Sequence, residues 1–119
     1  MCSKYNCYPE YHTSLDNFDL VTASGLLGGY NVLQKVLEIF ENNEKIKSKI
    51  IGEPQLGKRG LYPSQVLKSN LDTSTENMLN LLAYADGHNS LLEIAEIINT
   101  PIWDLYKIVK TLKKFDIIE

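Results

Sequence analysis

The stretch SLLEIAEIINTPIWDLYKIVKTLKK, residues 90–114, decides the fold of this chain. Ser90 followed three residues later by Glu93 is a capping-box arrangement, in which each side chain satisfies the other residue's free backbone N–H. A helix starting there carries Leu91, Ile94, Ala95 and Ile98 on one face and ends near Asn99. Thr100-Pro101 predicts the next start, with Thr as N-cap and Pro at the first helical position, where its missing N–H has no helical partner to lose. Ile102, Leu105, Val109 and Leu112 recur at spacings of three and four and form that helix's apolar face. Two helices joined by so short a turn make the helix-turn-helix pattern.

Working outward, a preceding helix is expected from about Thr75 to Ala85, with Met78, Leu82 and Ala85 inward, stopped by Asp86-Gly87. Phe115 to Glu119 reads as a single terminal strand, which makes residues 73–119 a small winged helix-turn-helix domain. Residues 46–72 are punctuated by Gly52, Pro54, Gly57, Gly60 and Pro63 and read as a connector. Upstream, a long helix spans about Thr22 to Asn43, with Thr22 as N-cap and Leu26, Tyr30, Leu33, Leu37 and Phe40 on one stripe expected to face a core. Gly25, Gly28 and Gly29 are poor helix formers, each costing up to about 1 kcal/mol against alanine. Their presence suggests a close approach to a backbone that this sequence does not contain. Residues 1–21 read as loop.

The bulk numbers narrow the function classes. With 119 residues, 44% hydrophobic and 23% charged, the chain has an ordinary globular composition. A net charge of −3 gives no field favouring nucleic acid or an anionic membrane. No apolar run approaches the roughly 20 residues of a membrane span. The N-terminus has no signal-peptide core, so a cytoplasmic address is expected. Cys2 and Cys7 are too few for a disulfide scaffold and are expected to be free thiols.

The chemically suggestive segment is YPEYHTSLDN, residues 8–17. A neutral imidazole steadied by a carboxylate is a good zinc ligand, and Asp16 or Glu10 could steady His12, although spacing alone does not establish this. Together with GEPQLGKRGLY at residues 52–62 and the terminal helix-turn-helix, the segment resembles one family. These are the aminopeptidase-like proteins with a C-terminal winged-helix domain, often labelled polysaccharide biosynthesis proteins. The resemblance runs from Met1 to Glu119, with Cys2 replacing a usual Arg and Cys7 standing where a small or charged residue is expected.

That resemblance implies a mainly α chain: a long helix from the edge of an α/β peptidase-like domain, then the winged domain. Residues 1–45 would be the peptidase-like remnant. In the family a His-Thr-x-x-Asp element supplies the last zinc ligand, and His12 matches it, with Asp16 behind it. The other ligands would precede Met1, so the chain is expected to be an inactive C-terminal fragment holding no catalytic residue of its own. Its expected partners are the remaining peptidase domain or a second copy.

Two other readings compete. Cys2, Cys7 and His12 lie five apart, with Glu10 or Asp16 as a fourth group, but that spacing fits no common structural zinc pattern. Lys58-Arg59 between two glycines could grip an anion or contact a neighbouring domain. As an alternative function, the chain could be a stand-alone helix-turn-helix interaction or DNA-binding regulatory module. Lys107, Lys110 and Lys114 share a face of the last helix. Yet residues 75–119 hold four lysines against seven acidic residues, and that helix offers no Arg or Gln for bidentate base contacts. The balance argues against DNA and for protein–protein contact or docking.

Overall fold

The computed structural model describes residue 4 and residues 6–52, 54–61 and 73–119. Cys2 and residues 62–72 of the expected connector lie outside the described residues. The chain divides into two compact units, Met1–Glu41 and Asn42–Glu119, each of which is taken by itself. Its elements are α1 (Ala23–Asn42), β1 (Lys45–Lys47), a 3₁₀ turn (Leu56–Arg59), α2 (Thr73–Tyr84), β2 (Asp86–Ser90), α3 (Leu91–Ile97) and α4 (Ile102–Lys114). The architecture is mainly α, as the sequence implied, with a small antiparallel sheet where the sequence suggested only a turn and the start of a connector.

In the second unit the sheet pairs β1 with β2, Lys45 opposite Ser90 and Lys47 opposite Asp86. The chain's tail lies on the other side of β1. Lys47 and Glu119 exchange two backbone hydrogen bonds of 3.1 and 2.9 Å, and the Lys49 N–H donates to the Ile117 carbonyl at 2.9 Å. The strand expected over residues 115–119 is reduced to a single bridge, Ser48 with Ile118, because Phe115 still caps α4; its partner is the segment just after α1. That segment belongs to the fold. Ile46 is fully buried and Leu56 is 2% exposed, so two residues from the stretch read as connector stand in the core. They join Leu81, Leu91, Ile94, Leu105, Leu112 and Ile117.

The local signals explain the helices. Ser90 and Glu93 form the capping box: the Ser90 N–H donates to Glu93 Oε2 at 2.6 Å and the Glu93 N–H to Ser90 Oγ at 3.4 Å. Ser90→Ala is expected to lower stability by about 1 kcal/mol, read as a shifted urea midpoint with unchanged slope. The Thr100 cap needs correcting. Pro101 itself takes the N-cap position of α4, with ψ 133 and no side-chain cap, and the Thr100 hydroxyl hydrogen-bonds Asn77 Oδ1 and the Ile98 carbonyl instead. Proline at that position holds the extended entry, so the threonine hydroxyl is released to tie α2 to the turn. Gly87 suits its place by its backbone conformation first and by its lack of a side chain second. Its φ is +86, and a Cβ there would stand 3.2 Å from the Lys47 side chain across the sheet.

Three ion pairs join the β1 region to the C-terminal end: Lys49–Asp116 and Lys113–Glu44 at 2.6 Å, and Lys47–Glu119 at 3.8 Å. Hydrogen bonding to Lys49, then its charge, lowers the Asp116 pKa. The backbone N–H groups of Asn89 and His88 lower that of Asp86, and Ser90 lowers that of Glu93. A carboxylate with a depressed folded-state pKa stabilises the fold above its ordinary value, 3.8 for aspartate and 4.5 for glutamate, and that contribution is lost as pH falls through the folded value. Stability is therefore expected to fall below pH about 4.5. Asp116→Asn should flatten that acid limb in urea melts taken at stepped pH. Asparagine tolerates the positive φ of 55 at this position, so the charge is tested apart from the backbone.

In the first unit, Thr22 caps α1 as expected by accepting the Gly25 N–H at 3.2 Å. The stripe expected to face a core instead lies open, with Leu26 63% and Phe40 78% exposed, and α1 buries none of its residues. Among the described residues no helix is long and apolar enough to cross a membrane.

Candidate functional site

The residues singled out by the sequence lie in two places. The first is the turn-rich segment before α1. A tight turn closes from the Thr13 N–H to the Glu10 carbonyl at 3.0 Å, and the Thr13 hydroxyl donates to the same carbonyl at 2.8 Å. Threonine then accepts the Leu15 N–H, which fixes the exit of the turn. His12 occupies the turn with a φ of +59, a left-handed conformation that histidine adopts more readily than bulkier residues but still rarely. Its imidazole is exposed and meets the Tyr11 ring edge-on, centroids 4.3 Å apart, and Tyr11 meets Tyr8 in the same way at 5.6 Å.

Asp16 is placed one turn further on. Its Oδ2 accepts a hydrogen bond from the Tyr8 hydroxyl at 3.5 Å, and no hydrogen bond joins it to His12. Tyr8 is the residue that sequence reasoning missed; an eight-residue separation carries no local period that would have pointed to it. Behind this turn lies a groove of about 680 Å³, lined on one side by Tyr8, Asp16, Leu20 and Val21 and on the other by Leu26, Tyr30 and Leu33 of α1. The lining is mostly apolar, with Asp16 as its only ionisable carboxylate.

Metal chemistry at this site has a definite shortfall. A catalytic zinc takes about three protein ligands and an open position. Among the described residues there is no group of three His, Cys, Asp or Glu side chains that could hold a metal ion. Cys7 is exposed. The turn therefore offers one imidazole, fit for one coordination position.

The second place is Lys58-Arg59, at the end of the 3₁₀ turn. Lys58 is exposed and Arg59 half-buried, and Gly60 closes the turn in a left-handed conformation at φ +67. This turn belongs to the second unit and the His12 turn to the first.

The charge on the helix-turn-helix also changes once β1 is counted with it. Residues 42–119 carry ten basic and ten acidic residues, while residues 1–41 carry two against five. The negative excess sits on the first unit. The second is neutral, with Lys47 of β1 and Lys49 just beyond it committed to ion pairs.

Comparison with known proteins agrees with this division. Residues 1–43 match a domain of unknown function, and residues 44–119 match the winged helix-turn-helix family. A Clostridium acetobutylicum protein named as a polysaccharide biosynthesis protein with aminopeptidase-like domain is 38% identical over 76% of this chain. A solved structure from the same species, named as a peptidase, is 28% identical and superposes on 94% of this chain with a TM-score of 0.77. The chain spans 21% and 24% of those two relatives, respectively. With a family match over residues 44–119, covering β1, the helical core and the C-terminal tail, the chain belongs to the winged helix-turn-helix family.

Proposed function

We propose that this chain is the C-terminal region of a zinc-dependent aminopeptidase-like protein, cytoplasmic and not catalytically complete by itself. In this reading His12 provides one zinc ligand and the winged unit serves docking or protein–protein contact. The observation that carries it is the superposition of 94% of the chain on a structure named as a peptidase, with His12 exposed on its turn. Zinc, when bound in such a site, polarises a carbonyl and lowers the pKa of a bound water. This chain's own part is to present an imidazole from a turn whose left-handed backbone sets its direction. Asp16, tied to Tyr8, holds a carboxylate close by in sequence, and Lys58-Arg59 is assigned to an interdomain or substrate-carboxylate contact.

The test is zinc content, measured by mass spectrometry on the chain co-expressed with the remaining part of the clostridial relative. His12→Asn keeps a residue that tolerates positive φ and removes the ligand. It is expected to lower zinc affinity by at least the roughly 10–100-fold that loss of an outer hydrogen-bond partner costs. Unchanged zinc binding in His12→Asn would sink the assignment.

A second reading, duplex binding by α4, has one observation in its favour: Lys107, Lys110 and Lys114 are all exposed on a unit that is neutral rather than acidic. If it holds, replacing all three by alanine should reduce the slope of log affinity against log salt by up to about 2.7. Absence of binding to a mixed-sequence duplex at low salt removes it.

A further inference from the structure

We infer that α1 is an interior helix whose exposed face docks on the remainder of a peptidase-like polypeptide, and that a second copy of this chain does not occupy that face. The inference rests on the aminopeptidase-like reading for the identity of the partner, while the geometry is independent of it. The seam Leu26, Tyr30, Leu33, Leu37 and Phe40 is exposed along its whole length. A second row, Val32, Val36 and Ile39, continues beside it. At about 100° per residue the two rows cover an arc of roughly 180°, well beyond the ~100° stripe with which a surface helix meets a single core. So wide an arc suits a helix packed by more than one neighbouring element.

Pairing two copies along the seam satisfies this poorly. A two-stranded coiled coil uses an apolar seam flanked by complementary charges. Here the flanking positions are Leu27, Gln34 and Glu41 on one side and Gly29 and Val36 on the other. A second copy would leave the Val32 row open. It would also bring together two units that each carry five acidic residues against two lysines. Gly28 and Gly29 suit close backbone approach by a larger partner, since a Cβ at Gly28 meets nothing within 4 Å in the chain itself. The relatives contain such a partner in their own length: about three quarters or more of each lies outside the part that matches this chain.

The test co-expresses the full chain with the non-matching part of the clostridial relative and reads association by size-exclusion chromatography with light scattering. A one-to-one complex is expected. Leu33→Lys with Leu37→Lys should weaken it at least tenfold, and Asn31→Lys, on the polar arc, should leave it unchanged. Circular dichroism of the double variant checks that the winged unit is still folded. A discrete homodimer that persists when the clostridial segment is present would overturn the inference, as would equal binding by the double variant. So would a clostridial segment that stays insoluble with the wild-type chain. Association without zinc retention would instead count against the metal reading and leave the interface standing.

Discussion

Replacing Ile46 with alanine is expected to lower the stability of the second unit by about 2–5 kcal/mol, the range found when a buried aliphatic side chain is cut to a methyl group. Ile46 is fully buried at the centre of β1, the strand between β2 and the C-terminal tail. Truncating it removes contacts on a strand that both neighbours depend on for their hydrogen bonds. If residue 46 were part of a solvated connector, the same change would fall within about 0.5 kcal/mol. A unit of this size rarely has more than about 3–5 kcal/mol in total, so the variant should melt near or below room temperature. Thermal unfolding by circular dichroism at 222 nm separates the two outcomes.

Leu105→Ala is expected to cost a similar 2–5 kcal/mol, because Leu105 is fully buried one turn into α4. At roughly 4–8 °C per kcal/mol for a domain of 60–100 residues, the melting temperature should drop by at least about 8 °C. Trp103→Ala, two residues away and 44% exposed, serves as the comparison and should cost clearly less. Equal losses would mean that α4 is turned about its axis relative to the core.

These two side chains differ in how readable they were. Leu105 belongs to a run, Ile102, Leu105, Val109 and Leu112, whose spacing marks a buried face without any knowledge of its partner, and all four are buried. Ile46 sits in Lys45-Ile46-Lys47, a three-residue strand with a lysine on either side. Three residues are too few for alternation to stand out, and the glycines and prolines that follow suggest a connector. The candidate site was legible in the same uneven way. His12 was visible as a residue of a recognisable segment, while the Tyr8–Asp16 contact and the groove beside α1 arise from how the turn folds back.

By itself the sequence determined what depends on neighbours within about one helical turn. The Ser90–Glu93 capping box, the Thr22 cap, the apolar faces of α3 and α4 and the length of α1 are all set by groups three or four residues apart, whereas on α2 the core takes Leu81 where the spacing favoured Leu82. Tertiary structure alone decided what joins distant segments. It placed Lys45–Lys47 between residues 86–90 and 117–119, ended the first unit at Glu41, made the helix-turn-helix unit neutral and left the α1 stripe open. Strand pairing is made of backbone hydrogen bonds that any sequence can form, so its partners are chosen by burial and chain closure rather than by local chemistry. The same amphipathic pattern marks α1 and α4, and only the fold shows that one face is covered within the chain and the other is not.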